Sequence, residues 1–241
     1  MRLNDFKLLT FDCYGTLIDW ETGIVVGLQP LIARLPIPPE RDRILEAHAR
    51  HEAHQQRYTP EMTYRDVLAV VYRRLAEEWG VAHTQAEAIA YGDSVKNWPV
   101  FPDTVGALQY LRRFYKIALL SNVDNATFAE TLKLLDVDFD AVFTAEDVGS
   151  YKPDRRFFEY VLGAIEARGI RRQEILHTAE SLYHDLIPAN EVGLPSCWIY
   201  RRFEKPGFGA TIDPGFRPQV DFQYTSMAQL ATAHHDELIR G

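Results

Sequence analysis

Residues 8–20 read LLTFDCYGTLIDW, a short apolar, β-rich run that ends on a carboxylate, Asp12, and turns at Gly15. A run of this length, bounded by turn residues, predicts a buried strand over 8–11. Similar runs recur at 117–120, 141–143, 175–176 and 197–200, with helical patterns between them. Strand alternating with helix predicts an α/β fold built on a doubly wound parallel sheet. Helix punctuation agrees: Asp103 precedes TVGALQYLRR, Pro153 precedes RRFFEYVLGAIEA, and Gly169 and Gly193 stand at helix ends. One stretch breaks the rhythm, because residues 19–97 carry helical periodicity and no strand. They predict an inserted helical cap domain, leaving 1–18 and 98–241 as the core domain. Within the insert, Thr59 with Pro60 and Thr84 with Glu87 are read as helix starts, and Gly80 as a helix end. Residues 203–218, rich in Gly and Pro, predict a long loop before a last strand and a C-terminal helix.

The bulk properties bound the function. At 241 residues, 46% apolar and 25% charged, the chain has the balance of a globular protein. A net charge of −8, with no run of Lys or Arg, gives no electrostatic footprint for nucleic acid or anionic lipid, so a small-molecule partner is expected. The two cysteines, Cys13 and Cys197, lie in apolar runs rather than in paired or metal-ligand spacing. The N-terminus MRLNDFKLLTFD lacks an apolar h-region, and nothing approaches the roughly eighteen apolar residues of a membrane span, which predicts a cytoplasmic protein. The sequence leaves oligomeric state open, a homodimer among the options.

In an open parallel sheet, ligands bind beyond the carboxyl ends of the strands. Those ends carry Asp12 after the first strand, Ser121 and Asn122 after the second, Lys152 after the third, and Glu180 and Asp185 after the fourth. Singly, each reads as a turn, cap or solvated residue. Together they gather a nucleophile, hydroxyls, a cation and further acids at one sheet edge. A non-catalytic binding protein on this fold is the competing class, and loss of Asp12 or Lys152 would have favoured it.

These segments, FDCYGTLIDW, LLSN at 119–122, YKPD at 151–154 and AESLYHDLIPANEVGLP at 179–195, resemble the four motifs of the haloacid dehalogenase superfamily. The resemblance implies a Rossmann-like core, Asp12 as nucleophile, Thr16 and Ser121 as motif hydroxyls, Lys152 as motif lysine and the insert as a cap over the site. An aspartate held in line with an electrophilic carbon or phosphorus forms an ester or acyl phosphate that water cleaves. Lys152 is expected to keep Asp12 ionised beside Glu180 and Asp185, and Asp185 to serve as general base.

Superfamily phosphatases carry a second aspartate two residues after the nucleophile, where this chain has Tyr14. A tyrosine is a poor magnesium ligand and a weak acid, whereas halide leaves without a proton. DxYGTL is similar to the nucleophile motif of the metal-free L-2-haloacid dehalogenases. That similarity implies displacement of halide at C2 of a short 2-haloalkanoic acid, with no metal or cofactor. The substrate carboxylate would then lie on the backbone amides at Cys13 and Tyr14, on Ser121 and Asn122, with Tyr183 and Glu180 alongside. A cap arginine is expected as well. The ungapped count along 43–57 puts His48 there, with Arg50 and Arg57 nearby. The five-residue offset of Glu180 and Asp185 matches the magnesium acids of the phosphatases, so a magnesium-dependent phosphatase is one alternative. A ring-opening hydrolase similar to azetidine-2-carboxylate hydrolases, with Glu180 protonating the amine, is another. His48, His51 and His54 are read as a solvated helix face, as are His234 and His235 near the C-terminus. Trp20 and Trp98 are read either as pocket walls or as core packing.

Overall fold

The computed structural model describes residues 1–240. The chain begins with β1 (Leu8–Asp12), followed by α1 (Trp20–Gly27), α2 (Gln29–Ile32), α3 (Arg41–Tyr58), α4 (Tyr64–Glu78) and α5 (Gln85–Gly92). It continues with α6 (Thr104–Leu111), β2 (Lys116–Ser121), α7 (Asn125–Leu135), β3 (Ala141–Thr144), α8 (Ala145–Val148), α9 (Arg155–Glu166) and β4 (Ile175–Ala179). A π-helical turn at Leu182–Leu186 leads into α10 (Ile187–Glu191), then β5 (Ser196–Ile199), β6 (Phe222–Tyr224) and α11 (Met227–Arg240).

The strands form one parallel sheet in the order β3-β2-β1-β4-β5-β6. Strand order reverses between β1 and β4, and this is the crevice where open α/β sheets bind ligands. Register brings the chemistry together there: Asp12 pairs with Leu120, one residue before Ser121, and Phe11 pairs with Thr178, two residues before Glu180. All five residues of β1 are buried, as a central strand covered on both faces requires. No helix of the described residues is long and apolar enough to cross a membrane.

Between β1 and α6 the described residues hold helices and turns. α4 buries Tyr64, Val67, Leu68, Val71, Tyr72 and Leu75 at helical spacing. Its cap is Thr63, whose side chain accepts from the Asp66 N–H; Thr59 instead closes α3, with its N–H on the Gln55 carbonyl. The expected helix start at Thr59 and Pro60 is therefore a turn, displaced because α3 runs on to Tyr58. The capping box of Thr84 and Glu87 opens α5. α3 is unusual in burying polar groups, His48, Glu52 and Gln56, at four-residue steps along one face. Trp98, where the chain returns to the sheet, packs edge-on against Tyr14 at 5.6 Å and lies over Gly23, where a Cβ would meet its ring at 2.2 Å. That settles Trp98 as packing. The loop after β5 ties back to the helical insert through Arg202, which pairs with Glu21 of α1 at 2.7 Å and Asp42 of α3 at 2.9 Å.

Candidate active site

Asp12 ends β1, and the turn that follows folds back on it. Leu17 and Ile18 donate to the Cys13 carbonyl at 2.7 and 3.0 Å, and Gly15 takes the left-handed φ of 93° that the turn needs. The turn aims Thr16 Oγ1 at Asp12 Oδ2, to which it donates at 2.7 Å while accepting from the Glu180 N–H at 2.9 Å. Asn122 holds the loop bearing Lys152: its Oδ1 accepts from the Lys152 N–H at 2.7 Å and its Nδ2 donates to the Lys152 carbonyl at 2.9 Å. The Lys152 ammonium then donates to Asp12 Oδ1 at 2.8 Å, Asp185 Oδ1 at 2.6 Å and the Leu120 carbonyl at 3.0 Å. Its three hydrogens are all used. Behind it, His177 bridges Asp185 Oδ1 at 3.1 Å and the Thr10 hydroxyl at 2.9 Å. Asp185 Oδ2 is buried and has no partner.

Burial works against every charge in this cluster. For Lys152 the two carboxylates outweigh it and hold the ammonium above its ordinary range. For Asp185, Lys152 and His177 outweigh burial and hold the carboxyl below its range. For Asp12 burial wins over Lys152 and Thr16 and pushes the carboxyl up. The expectation that Lys152 simply stabilises an ordinary Asp12 carboxylate is thus modified, because desolvation makes Asp12 more basic than an exposed aspartate.

Above Asp12 lies a cavity of about 30 Å³, floored by Asp12, Lys152 and Asp185 and roofed by Glu52, Gln56 and Tyr64, with Trp20 at its wall. A wider cavity of about 320 Å³ adjoins it, sharing Gln56, Lys152 and His184 and adding Arg57, Tyr151 and Tyr183. Tyr14 lines the inner cavity, while its hydroxyl is bonded to Thr131 Oγ1 at 2.7 Å. Burial pushes that phenol still higher, so position 14 offers no proton at neutral pH. Burial also makes neutral rings of His184, lowered to about 4, and His48, lowered to about 3. Glu52 is pushed up to about 7 by burial, with the nearby Tyr64 hydroxyl pulling partly back.

The structure brings Asp12, Thr16, Lys152 and Asp185 into direct contact, with Ser121 buried beside them and its hydroxyl unpartnered. Other expected residues lie elsewhere. Arg50 is exposed on the outer side of α3 and bonded to Glu78 at 2.6 Å, so it lines neither cavity. His48 lines neither cavity and is fully buried, 6.0 Å from the Tyr91 ring, which also corrects its reading as part of a solvated face. Of the other histidines so read, His54 and His235 are not buried, whereas His234 is, packed on Tyr115. The Asn122 amide is spent on Lys152, and the Cys13 side chain points into the core. Glu180 opens into a separate cavity of about 210 Å³ with Glu21, Arg201 and Arg202, and burial beside Glu21 raises its pKa well above the usual range. Sequence reasoning missed Glu52, Gln56, Tyr64 and His184; the four-residue step 48–52–56 was the available signal.

A magnesium ion does not suit this donor set. Glu180 lines a different cavity from Asp12 and Asp185, position 14 is a phenol, and the ammonium of Lys152 sits between the two remaining carboxylates. Among the described residues no three His, Cys, Asp or Glu side chains converge on a metal position.

A family model described as haloacid dehalogenase-like hydrolase matches residues 6–193. The chain is 32% identical over 111 residues to an (S)-2-haloacid dehalogenase of Pseudomonas sp. (strain YL), covering 44% of this chain and 45% of that protein. It is 26% identical over 114 residues to the pyrimidine 5'-nucleotidase YjjG of Escherichia coli (strain K12), covering 46% of this chain and 50% of that one. The matches thus span about half the length of these curated relatives. Among solved structures, that of the L-2-haloacid dehalogenase PA0810 superposes with a TM-score of 0.73 at 25% identity, covering 94% of this chain and 98% of that one.

Proposed function

The chain belongs to the haloacid dehalogenase-like hydrolase family, and from that premise we propose that it displaces a heteroatom from C2 of a short carboxylic acid through an ester on Asp12. Halide is the leaving group closest to the named dehalogenase relatives. The observation that carries this reading is Tyr14: it lines the cavity over Asp12 while its hydroxyl is bonded to Thr131. The place where phosphatases keep an acid is thereby an apolar wall, suited to carbon chemistry.

In this reading Asp12, oriented by Thr16 and Lys152, attacks C2 in line with the departing bond. Ser121, with its free buried hydroxyl, and the backbone amides after Asp12 receive the substrate carboxylate. Water then attacks the ester carbonyl, and Asp185, which floors the inner cavity with its Oδ2 unpartnered, accepts its proton. Residues 19–97 act as the cap that closes over the substrate. The inner cavity of about 30 Å³ holds no more than about one water, which suits a small substrate bound under a cap that opens and shuts.

The test is chloride release from L-2-chloropropionate in EDTA, run beside p-nitrophenyl phosphate hydrolysis with magnesium. Chloride release without metal, with heavy oxygen from labelled water entering Asp12 over many turnovers, supports the reading. Asp12→Asn is expected to abolish both signals. Phosphate release alone would overturn it.

A further inference from the structure

The far wall of the inner cavity decides what a leaving group meets. In-line attack by Asp12 sends the departing atom, with the electron pair of the broken bond, away from the attacking oxygen and toward the cap. The cap side chains lining that cavity are Glu52 and Gln56 from α3 and Tyr64 from α4. Of these, Glu52 is the acid.

Its surroundings argue that it holds a proton. Glu52 is 3% exposed, and among the described residues no Lys or Arg pairs with it. On its own helix it faces His48, whose Nδ1 lies 3.8 Å away in a ring that burial keeps neutral, and Gln56. Tyr64 of α4 lines the same cavity beside it, and Tyr91 of α5 and Tyr151 of the core lie close enough to feel its charge. Across the cavity stand Asp12, Asp185, Lys152 and the neutral His184. The one ammonium among these is already shared by two carboxylates. A third buried anion would lack compensation, so the neutral acid is the form that burial tolerates, and burial pushes its pKa up to about 7.

We propose that Glu52 donates a proton to the leaving group, and that the natural substrate loses an oxygen or uncharged nitrogen that cannot depart as an anion. This rests on the aspartyl-ester reading above and names the bond that reading leaves open. Asp12 Oδ bonds to C2, the C2–heteroatom bond breaks, its electron pair stays on the heteroatom, and that atom takes the Glu52 proton. Water then cleaves the ester to the 2-hydroxy acid, regenerates the Asp12 carboxylate and releases one proton, which restores Glu52. Glu180, the acid expected from sequence, cannot take this part, because it opens into a different cavity.

The experiment compares oxirane-2-carboxylate, whose ring oxygen must be protonated on leaving, with L-2-chloropropionate, whose chloride need not be. Wild type and Glu52→Gln are assayed in EDTA from about pH 5 to about pH 9, with intact-protein mass spectrometry for the ester on Asp12. We expect wild-type ring opening to decline as pH rises through about 7, following ionisation of Glu52. E52Q should slow ring opening at least about a hundredfold, abolish that decline, and slow chloride displacement less than about tenfold. Equal loss on both substrates, or a wild-type ring-opening rate indifferent to pH, overturns the proposal, and the second result needs no variant. Chloride displacement with no ring opening leaves the ester reading standing and removes this one. No ester and no product from either substrate removes both.

Discussion

Replacing Glu52 with glutamine removes one titration at nearly constant volume, so the stability difference between the two proteins, followed against pH, reads the cost of ionising a carboxyl inside the cap. Unfolded, that carboxyl titrates near 4.5; folded, burial pushes it to about 7 while the nearby Tyr64 hydroxyl pulls partly back. Below 4.5 both states keep the proton, and the group contributes no pH dependence. Between the two values only the unfolded chain releases it, so wild-type stability falls as pH rises, and above about 7 the loss is complete. The gap from 4.5 to about 7, at 1.36 kcal/mol for each pH unit, amounts to about 3 kcal/mol. E52Q has no such titration. Relative to wild type it should gain up to about 3 kcal/mol between about pH 5 and about pH 8, roughly 6–12 °C in Tm for a chain of this size. Urea unfolding followed by circular dichroism at matched pH values measures this, because titrations shared by both proteins cancel. Parallel stability curves for the two proteins would refute the reasoning, since they would mean that Glu52 is as readily ionised folded as unfolded.

Three further outcomes follow from the packing. Lys152→Met strips the cation from two buried carboxylates and should destabilise by about 3–5 kcal/mol at neutral pH; the deficit should shrink in acid, where both carboxyls take protons, as paired urea titrations would show. Arg50→Ala breaks only an exposed pair with Glu78, so it should cost less than about 1 kcal/mol and leave KM for the carboxylate substrate unchanged; a large rise in KM would return Arg50 to the site. Gly23→Ala forces a methyl against the Trp98 ring and should cost about 1–3 kcal/mol, read as a lower Tm, even though Ala is the better helix former.

The core was legible because two independent signals agreed there. β1 and β2 are apolar runs bounded by turns, and each ends on a residue with an obvious chemical use, Asp12 or Ser121. The parallel sheet then forces those ends together, so a sequence order becomes a spatial cluster without further information. Lys152 and Asp185 followed from the same rule and lie 2.8 and 2.6 Å from their partners. Glu180 did not, although it is only five residues from Asp185. Its backbone N–H is taken by Thr16, and the π-helical turn that follows carries Asp185 to the Lys152 side while the Glu180 carboxyl opens toward Arg201 and Arg202.

The helical stretch between β1 and α6 was opaque for a different reason. Helix α3 has few apolar residues, so periodicity alone could not say which side faces the sheet, and counting from a family position gave His48. Rotation by one turn along the same face gives Glu52, and by two turns Gln56, and these are the residues that roof the cavity. The distinction decides the chemistry. An arginine at the roof would hold a carboxylate and leave the departing atom unassisted; a buried glutamate repels a carboxylate when ionised and supplies a proton when neutral. Asp12 and Lys152 are common to either possibility. On the proposed reading the leaving group is therefore set by the face of α3 that the hydrophobic pattern could not orient, and the pH dependence of ring opening is where that can be read.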